Sequence, residues 1–141
     1  MHRILLSSLI IISILCLFSL TDGYTALAWE EEVVVQADLY GAIAFSPTTA
    51  AHGYSFDYAN RSAAERKAIN ECEKQSGSDD CRAIVWFHNA CGALAVGDTG
   101  YGSGWGTDLK YAVLYALESC LEMTDNCKPV RWVCTSNALS E

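Results

Sequence analysis

The chain has 141 residues, seven cysteines and a formal net charge of −8. An acidic balance excludes a nucleic-acid binder, whose phosphate partner needs a basic face. It also argues against docking on anionic membrane surfaces, and it favours solubility and a basic partner.

The N-terminus reads as a targeting segment. Met1-His2-Arg3 is short and basic, Ile4–Leu20 is almost wholly apolar, and Ala26-Leu27-Ala28 supplies an A-x-A-like site. That is the layout of a secretory signal peptide over residues 1–28, cleaved before Trp29. The rival is a retained anchor, but the apolar run is 17 residues where about 20 are needed to cross the hydrocarbon core. Leu15 before Cys16 does not suit a bacterial lipid anchor. Cleavage removes one basic and one acidic residue, Arg3 and Asp22, so the charge stays −8. The expected product is secreted or periplasmic, with no stable membrane anchor after cleavage. It comprises an acidic leader (29–38), one domain (39–136) and a short tail (137–141).

The domain repeats itself. "YGAIAFS" (40–46) matches "CGALAVG" (91–97), "AERKAINEC" (64–72) matches "AVLYALESC" (112–120), and "CRAIVWF" (81–87) matches "CKPVRWV" (127–133). The order is the same over 39–88 and 91–134. Two units are too few for an open solenoid, so one pseudo-symmetric domain is predicted.

In chain order, each unit opens on a short apolar run, Tyr40–Phe45 or Gly92–Val96, which predicts a buried strand. A glycine- and aromatic-rich stretch follows and predicts a hairpin partner. A helix comes next. In unit one Ser62 and Glu65 are spaced as a capping box, and Gly77 suits the stop. Ala64, Ala68, Ile69 and Cys72 recur on one face, as do Leu109, Ala112, Val113, Ala116, Leu117 and Cys120 in unit two. A last strand covers Ala83–His88 or Pro129–Cys134. The fold class is α+β, two ββαβ repeats with antiparallel sheet.

Six cysteines remain beyond Cys16, and an even number in a short exported chain reads as disulfides. Fifteen pairings exist, and the repeat narrows them. Cys72 and Cys120 end the helices, while Cys81 and Cys127 open the strands that follow. Pairing Cys72–Cys81 and Cys120–Cys127 staples the same turn twice and leaves Cys91 for Cys134. The unit-one counterparts of that last pair, Tyr40 and His88, should then also be neighbours.

"YGAIAFS", "AERKAINEC", "DCRAIVWFHNACGALAVG", "AVLYALESC" and "CKPVRWVC" resemble the domain-of-unknown-function family 4189, over about residues 39–136. The resemblance implies a small exported, disulfide-bonded domain, and some members look like secreted factors that act on a host. It carries over the six cysteines and the strand–helix pattern, and no catalytic residue. The leader "WEEEVVVQAD" lies outside it and would be a tail or an added edge strand.

No catalytic constellation, cofactor site or metal site is predicted. There is no G-x-S-x-G elbow, the cysteines are claimed by disulfides, and His52 and His88 lack metal-ligand spacing. His88, at a strand end, is expected to be hydrogen-bonded and packed, and His52 to sit in an exposed polar turn. Asp57, Asp79, Asp80, Asp98, Asp108 and Asp125 all fall in turns or caps, where aspartate has local reasons to occur. "NRS" (60–62) is formally a glycosylation sequon, but Asn60 before a helix reads as a turn or cap residue.

The leading function is a non-catalytic exported protein-binding module, a secreted factor or a toxin-neutralising protein. The candidate surface is Tyr101, Trp105, Tyr54 and Phe56. A small cell-envelope hydrolase using Asp98 or Asp108 near Trp105 is the first alternative, and a structural envelope protein the second. The stretch "GDTGYGSGWG" (97–106) fits no phosphate-loop motif. Its glycines recur at the strand period from Gly100 to Gly106, opposite Tyr101, Ser103 and Trp105. Bare glycines imply close approach by another backbone, the facing helix or a partner. Trp105, aligned with Phe56 of unit one, is expected to pack down on the helix.

Overall fold

The structure is a computed structural model and describes residues 37–138. The expected signal peptide (1–28), most of the acidic leader and residues 139–141 lie outside the described residues. The elements run β1 (Tyr40–Phe45), β2 (His52–Tyr58), α1 (Arg61–Ser76), β3 (Arg82–His88), β4 (Cys91–Val96), β5 (Tyr101–Gly106), α2 (Leu109–Leu121) and β6 (Lys128–Cys134).

They form two antiparallel three-stranded sheets, ordered β2-β1-β3 and β5-β4-β6. Period-two alternation gives each sheet two distinct faces. Ala42 and Ala44 of β1 meet Ala64, Ala68 and Cys72 of α1. Cys91, Ala93 and Ala95 of β4 meet Ala112, Ala116 and Cys120 of α2. The opposite faces pack on each other through Ile43, Phe45, Phe87, Ala90 and Leu94. The layers are therefore helix, sheet, sheet, helix. Strand β1 faces β4, β3 lies against β5, and β2 against β6, the pattern of a pseudo-twofold axis between the repeats.

The helices are set by caps and alanines. Asn60 Oδ1 accepts from Ala63 N at 2.9 Å and starts α1, and Gly77, at φ 66°, stops it by donating to Glu73 O. The cap is thus Asn60 and not the Ser62–Glu65 box. Ser62 Oγ accepts from Arg66 and Glu65 pairs with Arg61, because the helix begins two residues earlier than that box requires. Asp108 caps α2 by accepting from Tyr111 N at 3.1 Å.

Alanines and glycines bring helix and sheet together. A Cβ on Gly53 would run into Ala68 O and Cys72 N of α1. One on Gly102 would run into Ala116 O (2.6 Å) and Cys120 N of α2. Gly53 and Gly102 hold equivalent places, opposite Ala44 and Ala95. The bare face of β5 is therefore bare for its own helix. Because backbone, not a flexible side chain, stands in the way, Gly102→Ala should cost about 1–3 kcal/mol, the usual penalty of overpacking. Urea unfolding of Gly102→Ala beside Gly100→Ala reads this. Gly100 lies outside the strand, where the nearest atoms to a Cβ stand at 3.2–3.4 Å, so its change should be the milder.

The disulfides are Cys72–Cys81, Cys120–Cys127 and Cys91–Cys134, the pairing that the repeat selects. Tyr40 pairs with His88 across β1 and β3 as Cys91 does with Cys134 across β4 and β6, and the Tyr40 and His88 rings lie 4.7 Å apart. The last leader residues are pinned to the β3–β4 link. Asp38 meets His88 Nε2 at 2.8 Å and accepts from Asn89 Nδ2, and Leu39 N donates to Asn89 Oδ1.

Candidate functional site

Trp105 does not pack down on α2. It stands opposite Gly92, whose bare face looks at Phe87 between the sheets. Alternation that gives the glycines to the helix gives Trp105 to the other face. Being on the outer strand of its sheet, it escapes the inter-sheet core and is 57% exposed. Two hollows share it. One, of about 420 Å³, runs along β3 between Ile84 and His88. The other, of about 600 Å³, follows Ser103–Thr107 and is walled by Tyr111 and Tyr115 of α2. The two tyrosine rings stack at 6.2 Å.

The four aromatic residues of the predicted surface do not come together. Tyr54 and Phe56 belong to β2, which lies against β6, while Trp105 belongs to β5, which lies against β3. The pseudo-twofold axis places them on opposite sides of the sandwich. Tyr54 is capped by the Arg131 guanidinium, 4.7 Å from its ring, and Tyr101 turns inward against Phe45 at 4.6 Å. Trp105 alone of the four sits on the open groove.

Tyr111 and Tyr115 were missed because the helix was read for its buried face. The signal was in the repeat. Register with α1, set by Ala64/Ala112, Ala68/Ala116 and Cys72/Cys120, aligns Arg66 with Leu114, Lys67 with Tyr115 and Glu73 with Leu121. In α1 these outer positions carry charge, and Lys67 pairs with Glu71 at 2.7 Å. In α2 Tyr111, Leu114, Tyr115 and Leu121 stand exposed. The tryptophans repeat the contrast. Trp86 lies under the Arg61 guanidinium at 4.5 Å. In unit two Leu109 takes the place of Arg61, and there it stands exposed at the start of α2 and not on the buried face that its spacing suggested; Trp132 is exposed as well.

The carboxylates have local work. Asp57, at φ 60° in a bulged part of β2, accepts from Ser136 N at 2.8 Å. Asp80 accepts from Ser46 Oγ at 2.6 Å, from Thr48 N and from Ser78 Oγ. Those bonds hold its carboxyl well below the usual range, the reverse of what a general acid needs. Asp98 accepts from Asn126 Nδ2 at 2.6 Å. Asp98 and Asp108 lie beyond opposite ends of β5, with roughly 20 Å of strand between them, while paired glycosidase carboxylates stand at about 5–9.5 Å. His52 is not in an exposed turn: it opens β2, partly buried, and burial followed by the Arg131 charge lowers its pKa. Among the described residues, no group of three or more His, Cys, Asp or Glu is placed to hold a metal. No described helix is long and apolar enough to cross a membrane.

A family model, "Domain of unknown function (DUF4189)", matches residues 40–134, from the first described strand to the last. The chain belongs to the DUF4189 family. This DUF4189 domain is 43% identical over 81 residues to Protein Rv1269c of Mycobacterium tuberculosis, and equally to Protein Mb1300c of Mycobacterium bovis. Each match takes in 57% of this chain and 60% of the relative, so the chain spans about three fifths of those relatives' length. Among solved structures it is similar to the NMR structure of Rv1813c from Mycobacterium tuberculosis, at 27% identity and a TM-score of 0.46, over 68% of this chain and 74% of that one.

Proposed function

We propose that this DUF4189 domain is an exported, non-catalytic protein-binding module that grips its partner at the groove around Trp105. The observation that carries the reading is the contrast between two equivalent helices. The outer face of α1 bears Arg66, Lys67 and Glu73, and that of α2 bears Leu114, Tyr115 and Leu121. Solvation alone favours the first pattern at both places, and an apolar face left open is the mark of an interaction surface. Three disulfides in so small a domain suit an oxidising compartment. They also give a rigid platform, which lowers the entropy lost on binding. Tyrosine and tryptophan add large contact area at low conformational cost.

The test is capture by the immobilised domain from a periplasmic or host extract, followed by titration of the captured protein. Trp105→Ala should weaken that binding by roughly thirtyfold or more, as an aromatic hot spot does. Trp132→Ala, on the far side of the same sheet, should leave it unchanged. Equal binding by the wild type and Trp105→Ala would sink the assignment of the groove.

A further inference from the structure

We infer that the outer edge of β5 takes an extended segment of the partner as an added strand, and that this segment alternates apolar and basic residues. The inference rests on the protein-binding reading and specifies its mode and partner chemistry.

Four strands end the two sheets: β2, β3, β5 and β6. A free edge shows unpaired N–H and C=O groups and recruits other chains unless charge, proline or a bulge blunts it. Three of the four are blunted. Strand β2 carries Asp57 and a register shift against β1. Strand β3 opens with Arg82 and shifts against β1. Strand β6 holds Lys128, Pro129 and Arg131 and shifts against β4. Strand β5, "YGSGWG", has no charge and no proline, and pairs with β4 through six consecutive positions without irregularity. The hollow along Ser103–Thr107 follows this same strand. The unguarded edge and the apolar face of α2 are independent departures from unit one, and they adjoin.

The chemistry of the partner follows from what flanks the edge. Successive side chains of an added strand point to opposite faces. Those on the helix side meet Tyr111 and Tyr115 and should be apolar. Those on the other side meet the exposed ring of Trp105, where a cation is favoured. The molecule uses that contact twice itself, Arg61 over Trp86 and Arg131 over Tyr54. Asp98 and Asp108 lie beyond the two ends of β5, and the chain carries a net charge of −8, so a basic segment is complementary along its length.

The probe is a synthetic octapeptide alternating valine and lysine, titrated into the isotope-labelled protein with amide exchange as the readout. Saturable binding is expected, with exchange at Tyr101–Gly106 slowed roughly tenfold or more. Methylating alternate peptide amides should abolish binding, because the side chains stay and the main-chain donors go. Leu114→Arg with Tyr115→Lys, both exposed and both copying α1, should weaken it while leaving the unfolding midpoint in place. A methylated peptide that binds equally well, or protection that spares β5, overturns strand addition and leaves the aromatic groove standing. Equal binding by a valine–glutamate peptide overturns the basic partner. No saturable binding by the valine–lysine peptide overturns the inference as a whole. Concentration-dependent dimers with β5 protected before any peptide is added would mean that a second copy fills the edge, and would also overturn it. The Trp105→Ala capture result is read separately and decides the parent reading.

Discussion

Replacing Cys91 and Cys134 together by alanine is expected to lower the unfolding free energy by about 4 kcal/mol, against about 2.5 kcal/mol for either of the other disulfides. The difference comes from the loop each bond closes. Cys91 and Cys134 are 43 residues apart, Cys72 and Cys81 nine, and Cys120 and Cys127 seven. A longer closed loop removes more freedom from the unfolded chain. The long bond also ties β4 to β6 at the strand ends, where unit one has non-covalent contacts in its place: the Tyr40–His88 rings, the His88–Asp38 pair and the hydrogen bonds of Asn89 with Asp38 and Leu39. A loss of about 4 kcal/mol is a large share of the ~5–15 kcal/mol that holds an ordinary domain. Urea unfolding of the three double-alanine variants makes the comparison, and equal losses would refute the loop-length account.

Phe87→Ala should cost about 3–5 kcal/mol, the range for emptying a buried aromatic site. Phe87 is 1% exposed and is the largest fully buried side chain among the described residues. Its ring lies against both Gly41 of β1 and Gly92 of β4, close enough that a Cβ on either glycine would overlap it. The two glycines are repeat-equivalent, so one phenylalanine fills the gap that both sheets leave. The surroundings are the backbone at Gly41 and Gly92 together with Ile43, Phe45 and Leu94, held between two sheets, and a site that collapses only in part keeps much of the cavity open. Trp86, its neighbour in β3, is 39% exposed, and Trp86→Ala should cost clearly less. A Phe87→Ala loss no larger than that of Trp86→Ala would remove the ring from its central place. The readout is again the urea midpoint and slope.

Much of this architecture was legible because the chain states it twice. The alanines at helical spacing name the buried faces of α1 and α2, and Cys72 and Cys120 fall on those faces in register. One local rule therefore paired four cysteines and left the last two for each other. Asn60 was harder to read as the helix start. Ser62 with Glu65 has the spacing of a capping box, and only the backbone conformation at Asn60, extended before the first helical turn, decides between them. The groove was half legible. Trp105 could be placed opposite the glycines by counting, but its exposure depends on β5 being an outer strand. Tyr111 and Tyr115 were visible in the alignment of the two helices once their outer faces were compared, residue against residue.

By itself the sequence determined the elements, the ββαβ order and the disulfide pairing, all of which follow from periodicity and repetition within short stretches of chain. Only the tertiary structure decided that the strands form two sheets packed back to back, and that Tyr54 and Phe56 lie far from Trp105 across the pseudo-twofold axis. Those outcomes depend on which faces bury each other, and a face with period two looks the same in the sequence whether a helix, a second sheet or solvent covers it. For "YGSGWG" the count put glycines on one side and Trp105 on the other. Packing then gave the glycines to α2 and left Trp105 on an open edge.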